Sequence, residues 1–264
     1  EVTQADGGIF RVPTFQSLRV QAGERVRVLP LAGSVTAVLA VAGGFAVEPV
    51  MGSASTDLRS ALGGFQGRAL RSGDRLPVNG DCDPPTRFFP QPEDWLSVAP
   101  VRLVPGPQWD AFSEAAQKAL FDSPFRISKD ADRMGLRLEG PALTHRAGAD
   151  IVSDGIATGA LQVPGSGQPI LLLADRQTAG GYAKIAHVAS VDLPRLGRLP
   201  PGTSLSFSRI TREEAENLRR GRDRDLRRAL ADCPLLLEGR HIDLDALYSA
   251  NLVSGVVDGN DPDR

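Results

Sequence analysis

Through the first two hundred residues of this 264-residue chain, apolar residues come in short runs closed by glycine or proline, and sustained helical spacing is scarce. A chain punctuated in this way must turn back often, and short alternating segments build sheets rather than bundles. The 28 glycines and 20 prolines supply the turns. In IFRVPTFQSLRVQAGERVRVLP, Leu18 and Val20 alternate with polar neighbours, AGE forms a turn, and Val26 and Val28 resume the alternation, which predicts a hairpin. VTAVLAVAGGF, residues 35–45, is a continuous apolar run and predicts a strand buried on both faces, or one closely approached by another group. Further strands are expected in VRLVPGP, FRISKDADRMGLRLEGPAL, DIVSDGIATGALQVPGSGQPILLLAD, KIAHVASVDLPRL and SLSFSRI. In the second of these, Met134, Leu136 and Leu138 alternate with Gly135 and Arg137, so Arg137 faces away from the apolar side.

NGDCDPPTRFFPQPEDWLSVAP, residues 79–100, holds five prolines and reads as a linker between two domains. The expected division is a first β-rich unit at 1–80, the linker at 81–100, a second unit at 101–210 and a C-terminal helix and tail at 211–264. DAFSEAAQKALF has helical spacing at Phe112, Ala116 and Leu120, with Asp110 placed to cap it. A second helix opens at Thr211, where Glu214 completes a capping box, and the tail after Leu235 is expected to fray.

A net charge of −2 argues against nucleic acid as a partner. Cys82 and Cys233 match no zinc or redox spacing and fit a reducing cytosol, and three lone histidines, His145, His187 and His241, make a metal site improbable. No apolar run is long enough to span a membrane, so a cytoplasmic protein is expected. The chain begins without Met and drops at once into strand-like alternation, which reads as part of something longer.

Three stretches carry more polar chemistry than turns require. MGSASTDLRSALGGFQGRAL sets Ser53, Ser55, Thr56, Asp57 and Arg59 among glycines, a setting for an anion or, more simply, for side chains that satisfy their own loop. RISKDADRMGLRLEGP sets Arg126, Lys129, Asp130, Asp132 and Arg133 at the start of a strand, either as a carboxylate clamp or as a solvated turn. GSGQPILLLADRQTAGGY places Gln168 at the start of an apolar strand and Asp175, Arg176, Gln177, Thr178, Gly180, Gly181 and Tyr182 at its end. A carboxamide can both donate to and accept from an amide group, and a carboxylate can act as base or orient one, although the glycines would also serve a plain hairpin.

In their order along the chain, VLAVAGGFAVEPVMGSASTDLRSALGGFQGRALRSGDRLPV, FRISKDADRMGLRLEGPAL and GALQVPGSGQPILLLADRQTAGGYAKIAHVASVDLPRLGRLPPG resemble the biotin-dependent carboxyltransferase family that includes the C subunit of 5-oxoprolinase, also called allophanate hydrolase subunit 2 or Kip-type antagonist. The resemblance implies a mainly β fold of two cyclophilin-like β-barrel domains with a few peripheral helices, the first barrel incomplete at its N-terminus. It also implies ATP-dependent hydrolysis of 5-oxoproline to glutamate in a complex with a Kip-inhibitor-like B subunit and an A subunit, the nucleotide bound here or on a partner. Carboxyl transfer from carboxybiotin to urea or a similar amide is the alternative, and a non-catalytic regulator that binds a Kip-type kinase inhibitor is a third. Two positions depart from the family pattern: Ala179 replaces a common Thr, and Lys184 stands where Arg is usual. On this reading Asp175, Gln177 and Arg133 are the catalytic candidates. Ser55, Asp57, Arg59, Gln168, Thr178, Gly180, Gly181 and Tyr182 are the substrate-binding candidates.

Overall fold

The computed structural model describes residues 1–80, 84–89 and 99–235. Strand β1 (Val2–Thr3) lies between β2 (Ile9–Phe10) and β3 (Arg25–Val26), antiparallel to both, and β4 (Thr56–Asp57) pairs with β5 (Leu62–Gly63). The AGE turn forms where the sequence places it, with Gly23 at φ 90° and Glu24 N–H donating to Gln21 O. The hairpin expectation nevertheless needs correction, because Val26 pairs with Val2 and not with the Leu18–Val20 segment. Val2 is 1% exposed, so its burial pulls β3 onto the start of the chain.

Residues 35–45 also depart from expectation. Val38 and Leu39 are 94% and 62% exposed, and the run is tied at its ends, by Val35 N–H to Arg198 O and by a bridge between Phe45 and Val78. A strand apolar on both faces needs a neighbour on each side, and among the described residues none forms a ladder along it.

The main core lies in residues 101–209. Its strands are β6 (Val101–Pro105), β7 (Phe125–Ile127), β8 (Gly135–Glu139), β9 (Asp150–Gly155), β10 (Ala160–Gln162), β11 (Ile170–Leu172), β12 (Ala179–Tyr182), β13 (Lys184–Val188), β14 (Ser204–Leu205) and β15 (Phe207–Arg209). Eight of them form one sheet in the order β14-β7-β8-β11-β10-β13-β6-β15, while β9 and β12 form a separate two-stranded ribbon. The two edges of the large sheet are consecutive in the chain, and Ser206 alone separates them. Ser206 O accepts from Val101 N–H, so the chain steps from one edge to the other and nearly closes a barrel. Inside it, Leu136 and Leu138 are buried and Arg137 faces out, as the alternation in β8 requires.

Helix α1 (Glu114–Asp122) buries Ala116 and Leu120, and its cap is Ser113, whose Oγ accepts from Ala116 N–H at 3.1 Å. Asp110, expected to cap it, sits in a 3-10 turn just upstream. Helix α2 (Leu193–Leu196) follows β13, where Arg102 forks onto Asp192 at 2.6 and 3.0 Å and fixes the turn to β6. Helix α3 (Arg212–Ala231) opens with both halves of the expected capping box and keeps its side chains exposed or half-buried. Among the described residues no helix is long and apolar enough to cross a membrane.

Of the Pro-rich segment, residues 84–89 are described. Ser17 and Arg87 exchange hydrogen bonds there, and Phe88 N–H donates to Pro234 O. Cys82, His241 and the tail expected to fray lie outside the described residues.

Candidate functional site

Beyond β11, Leu173 N–H donates to Met134 O at 2.8 Å and Asp175 N–H to Arg133 O at 3.2 Å. These bonds lay the end of one apolar strand along the start of β8, and they set two charged side chains face to face. Arg133 Nε lies 2.8 Å from Asp175 Oδ2, and Nη2 donates to Oδ1 at 3.3 Å, so the guanidinium fork grips the carboxylate by both oxygens. Both groups are open to water, with side chains 71% and 41% exposed.

The STDLR loop reaches the same place. Arg59 Nη1 donates to Met134 Sδ at 2.8 Å, adjacent to Arg133 in the chain. The loop itself is tightly wound: Met51, Ala61 and Gln66 have positive φ, and Gly64, at φ +55°, lies so close to Thr56 that an added Cβ would overlap its side chain. The three polar stretches therefore converge, although they are far apart in sequence.

A second group of polar side chains gathers around the β9–β12 ribbon. A Cβ built on Gly180 would stand 3.2 Å from Gln162 Nε2, 3.6 Å from Gln177 Nε2 and 2.8 Å from Ile156 Cδ1. There is thus no room for a side chain here, and glycine lets the ribbon backbone lie directly against Ile156 and Gln162. Gln162 is buried and donates from Nε2 to Tyr182 O at 3.3 Å, while Gln177 is exposed and its side chain bonds to no other described residue. Gln162 pairs in register with Lys184, and Gly180 with Asp154. The Lys184 ammonium meets Asp154 Oδ2 at 2.7 Å, with side chains 2% and 55% exposed. Its hydrogen bond, helped by Gly155 N–H, holds the Asp154 carboxyl below the usual carboxylate range. Nearby His187 is pushed below the usual imidazole value, first by burial and then by the Lys184 charge.

The remaining candidates serve local structure or stand free. Asp57 accepts from Arg59 N–H and Ser60 N–H and from Ser60 Oγ, a closed turn that lowers its own pKa. Ser55 N–H donates to Ser53 Oγ. Gln168 uses both amide atoms on Gly140, accepting from its N–H at 3.0 Å and donating to its carbonyl at 3.1 Å. Arg176 does not pair with Asp175 but donates to the carbonyls of Ile156 and Ala174. Thr178 O accepts from Ile156 N–H, Gly181 lies against Ile151 O, and Tyr182 is 42% exposed on the ribbon. The sequence signal for Gln162 is a polar residue at the buried end of an otherwise apolar strand, and Lys184 likewise opens β13 at a buried position.

Residues 2–209 match the family model described as carboxyltransferase domain, subdomain A and B. The chain is 38% identical over 207 residues to the C subunit of 5-oxoprolinase from Escherichia coli, covering 78% of this chain and 66% of that protein. It is 35% identical over 202 residues to the C subunit of 5-oxoprolinase from Haemophilus influenzae, covering 76% and 65%. The chain thus spans just under two thirds of each of these relatives. Among solved structures it is similar to the Kluyveromyces lactis urea carboxylase, with a TM-score of 0.63 and 25% identity over 72% of this chain and 19% of that one.

Proposed function

Because the chain belongs to the carboxyltransferase-domain family, we propose that it serves as the C subunit of an ATP-dependent 5-oxoprolinase, hydrolysing 5-oxoproline to glutamate in a cytoplasmic complex with the B and A subunits. The observation that carries this reading is the meeting of Arg133, Asp175 and the Arg59 loop, with Gln177 two residues beyond Asp175 in the chain. A lactam resists attack at neutral pH, so its hydrolysis calls for donors on the carbonyl oxygen and a group near the nitrogen. In this reading Gln177 receives the lactam, its N–H₂ on the carbonyl oxygen and its Oε1 on the ring N–H. Asp175, gripped by the Arg133 guanidinium, orients or accepts the proton at the reacting centre. Thr178 and Gly181, close to Gln177 in the chain, bind the same substrate in this reading. ATP is supplied to the complex, on this chain or on a partner subunit.

Carboxyl transfer from carboxybiotin to urea is a second reading, favoured by the likeness to the urea carboxylase structure. The co-purified complex, assayed with 5-oxoproline and ATP, separates the two: glutamate release supports the first, and carboxybiotin consumption with urea supports the second. Arg133→Ala and Gln177→Ala are expected to lower turnover by roughly a hundredfold or more while the melting temperature holds. Wild-type rates in both variants refute the assignment.

A further inference from the structure

The β9–β12 ribbon stands outside the large sheet, and a buried cation ties it to the barrel. Lys184 opens β13 with its side chain 2% exposed, and its Nζ meets Asp154 Oδ2 on β9 at 2.7 Å. An ammonium out of water depends on its counter-ion, so loss of this pair leaves a buried charge uncompensated. Two residues beyond Asp154 the Ile156 backbone takes hold of the DRQT segment on both sides of Gln177: Ile156 N–H donates to Thr178 O at 2.9 Å, and Ile156 O accepts from Arg176 Nε at 3.1 Å. Asp175 is tied elsewhere, by its N–H to Arg133 O and by its carboxylate to the Arg133 fork. The place of Gln177 against Asp175 is therefore set between two anchors, one at the start of β8 and one at the end of β9. The fit of the ribbon is close, since Gly180 lies against Ile156 and Gln162, and Gln162 Nε2 donates to Tyr182 O.

We propose that Lys184 is a positioning residue: through Asp154 it fixes the Ile156 backbone, and through that backbone the two neighbours of Gln177, so that Gln177 is held in a set place beside Asp175. The inference rests on the 5-oxoproline reading, in which Gln177 and Asp175 act on the lactam, and deepens it by adding a residue that touches neither substrate nor reacting atoms. A carboxamide moved by a fraction of its own length no longer meets the carbonyl oxygen and the ring N–H together, so the effect falls on turnover.

The test joins amide hydrogen exchange on the full chain to turnover by the complex. In Lys184→Met and in Asp154→Ala, amides of residues 150–156 and 176–182 are expected to exchange about tenfold faster or more, while those of β6, β8 and β11 keep their wild-type rates. The kcat of the complex on 5-oxoproline is expected to fall about tenfold in both variants. Lys184→Arg keeps a cation for Asp154 and is expected to restore ribbon protection and kcat together. Asp154 is more than half exposed, so its variant answers the question even where Lys184→Met fails to fold. Wild-type exchange in the ribbon of Asp154→Ala overturns the inference, as does faster exchange spread equally over ribbon and barrel, which is plain loss of stability. Faster ribbon exchange with undiminished kcat overturns it too, and so does a Lys184→Arg chain that behaves like Lys184→Met. A wild-type complex that releases no glutamate from 5-oxoproline removes the 5-oxoproline reading, and the exchange of residues 176–178 then decides by itself whether Lys184 sets the place of Gln177.

Discussion

His187 lies on the same strand as Lys184, and the two cannot both be charged without cost. Burial, then the ammonium, hold the imidazole below its ordinary 6.5. As pH falls through 6.5 the unfolded chain takes up a proton that folded His187 still refuses. The His187 contribution to stability is therefore complete above that pH and declines below it, toward the depressed folded value. Denaturation midpoints between about pH 8 and pH 5 should show this decline, and His187→Gln should flatten it. A histidine that in the sequence stands alone, with nothing to mark its surroundings, thus reports on the charge beside it.

At the scale of elements, caps are local and legible. Thr211 and Glu214 sit three residues apart in the sequence and form both hydrogen bonds of the box in the fold. The start of α1 is harder to read, since Asp110 and Ser113 both suit a cap, and Ser113 takes the role because Trp109–Ala111 winds as a separate turn. Ser113→Ala is expected to cost about 1 kcal/mol in urea unfolding, whereas Asp110→Ala should cost little. The alternation of β8 is legible for the same reason, as it needs only the period of two. Pairings are not: β3 joins β1 across the chain start, and the run at 35–45 lacks the neighbours its apolarity implies. The polar stretches are visible one at a time, but the Arg133 fork on Asp175 depends on two strand ends lying side by side. Gln162, the single polar letter at the end of an apolar strand, is easily absorbed into the pattern, and Lys184 is visible as a departure from the usual Arg although its ion pair with Asp154 is not.

For the molecule as a whole, burial is unevenly shared. The core of residues 101–209 includes Phe125 and Phe207, whose rings lie 5.6 Å apart across β7 and β15. Phe207 is 3% exposed, and Phe207→Ala is expected to destabilise the barrel by about 3–5 kcal/mol, read from the shift of the guanidinium midpoint. Residues 1–80 have no comparable interior, and their apolar side chains, Ile9, Val28, Val38 and Met51 among them, face outward.

The step at Ser206 gives the barrel a fixed gauge. Ser204–Leu205 keeps register with β7 and Phe207–Arg209 with β6, so the chain between them has no slack to distribute. One residue added there would turn the side chains of one flank inside out relative to the other. Evolution can lengthen loops elsewhere in this fold, but at this seam the count of amino acids is itself the constraint.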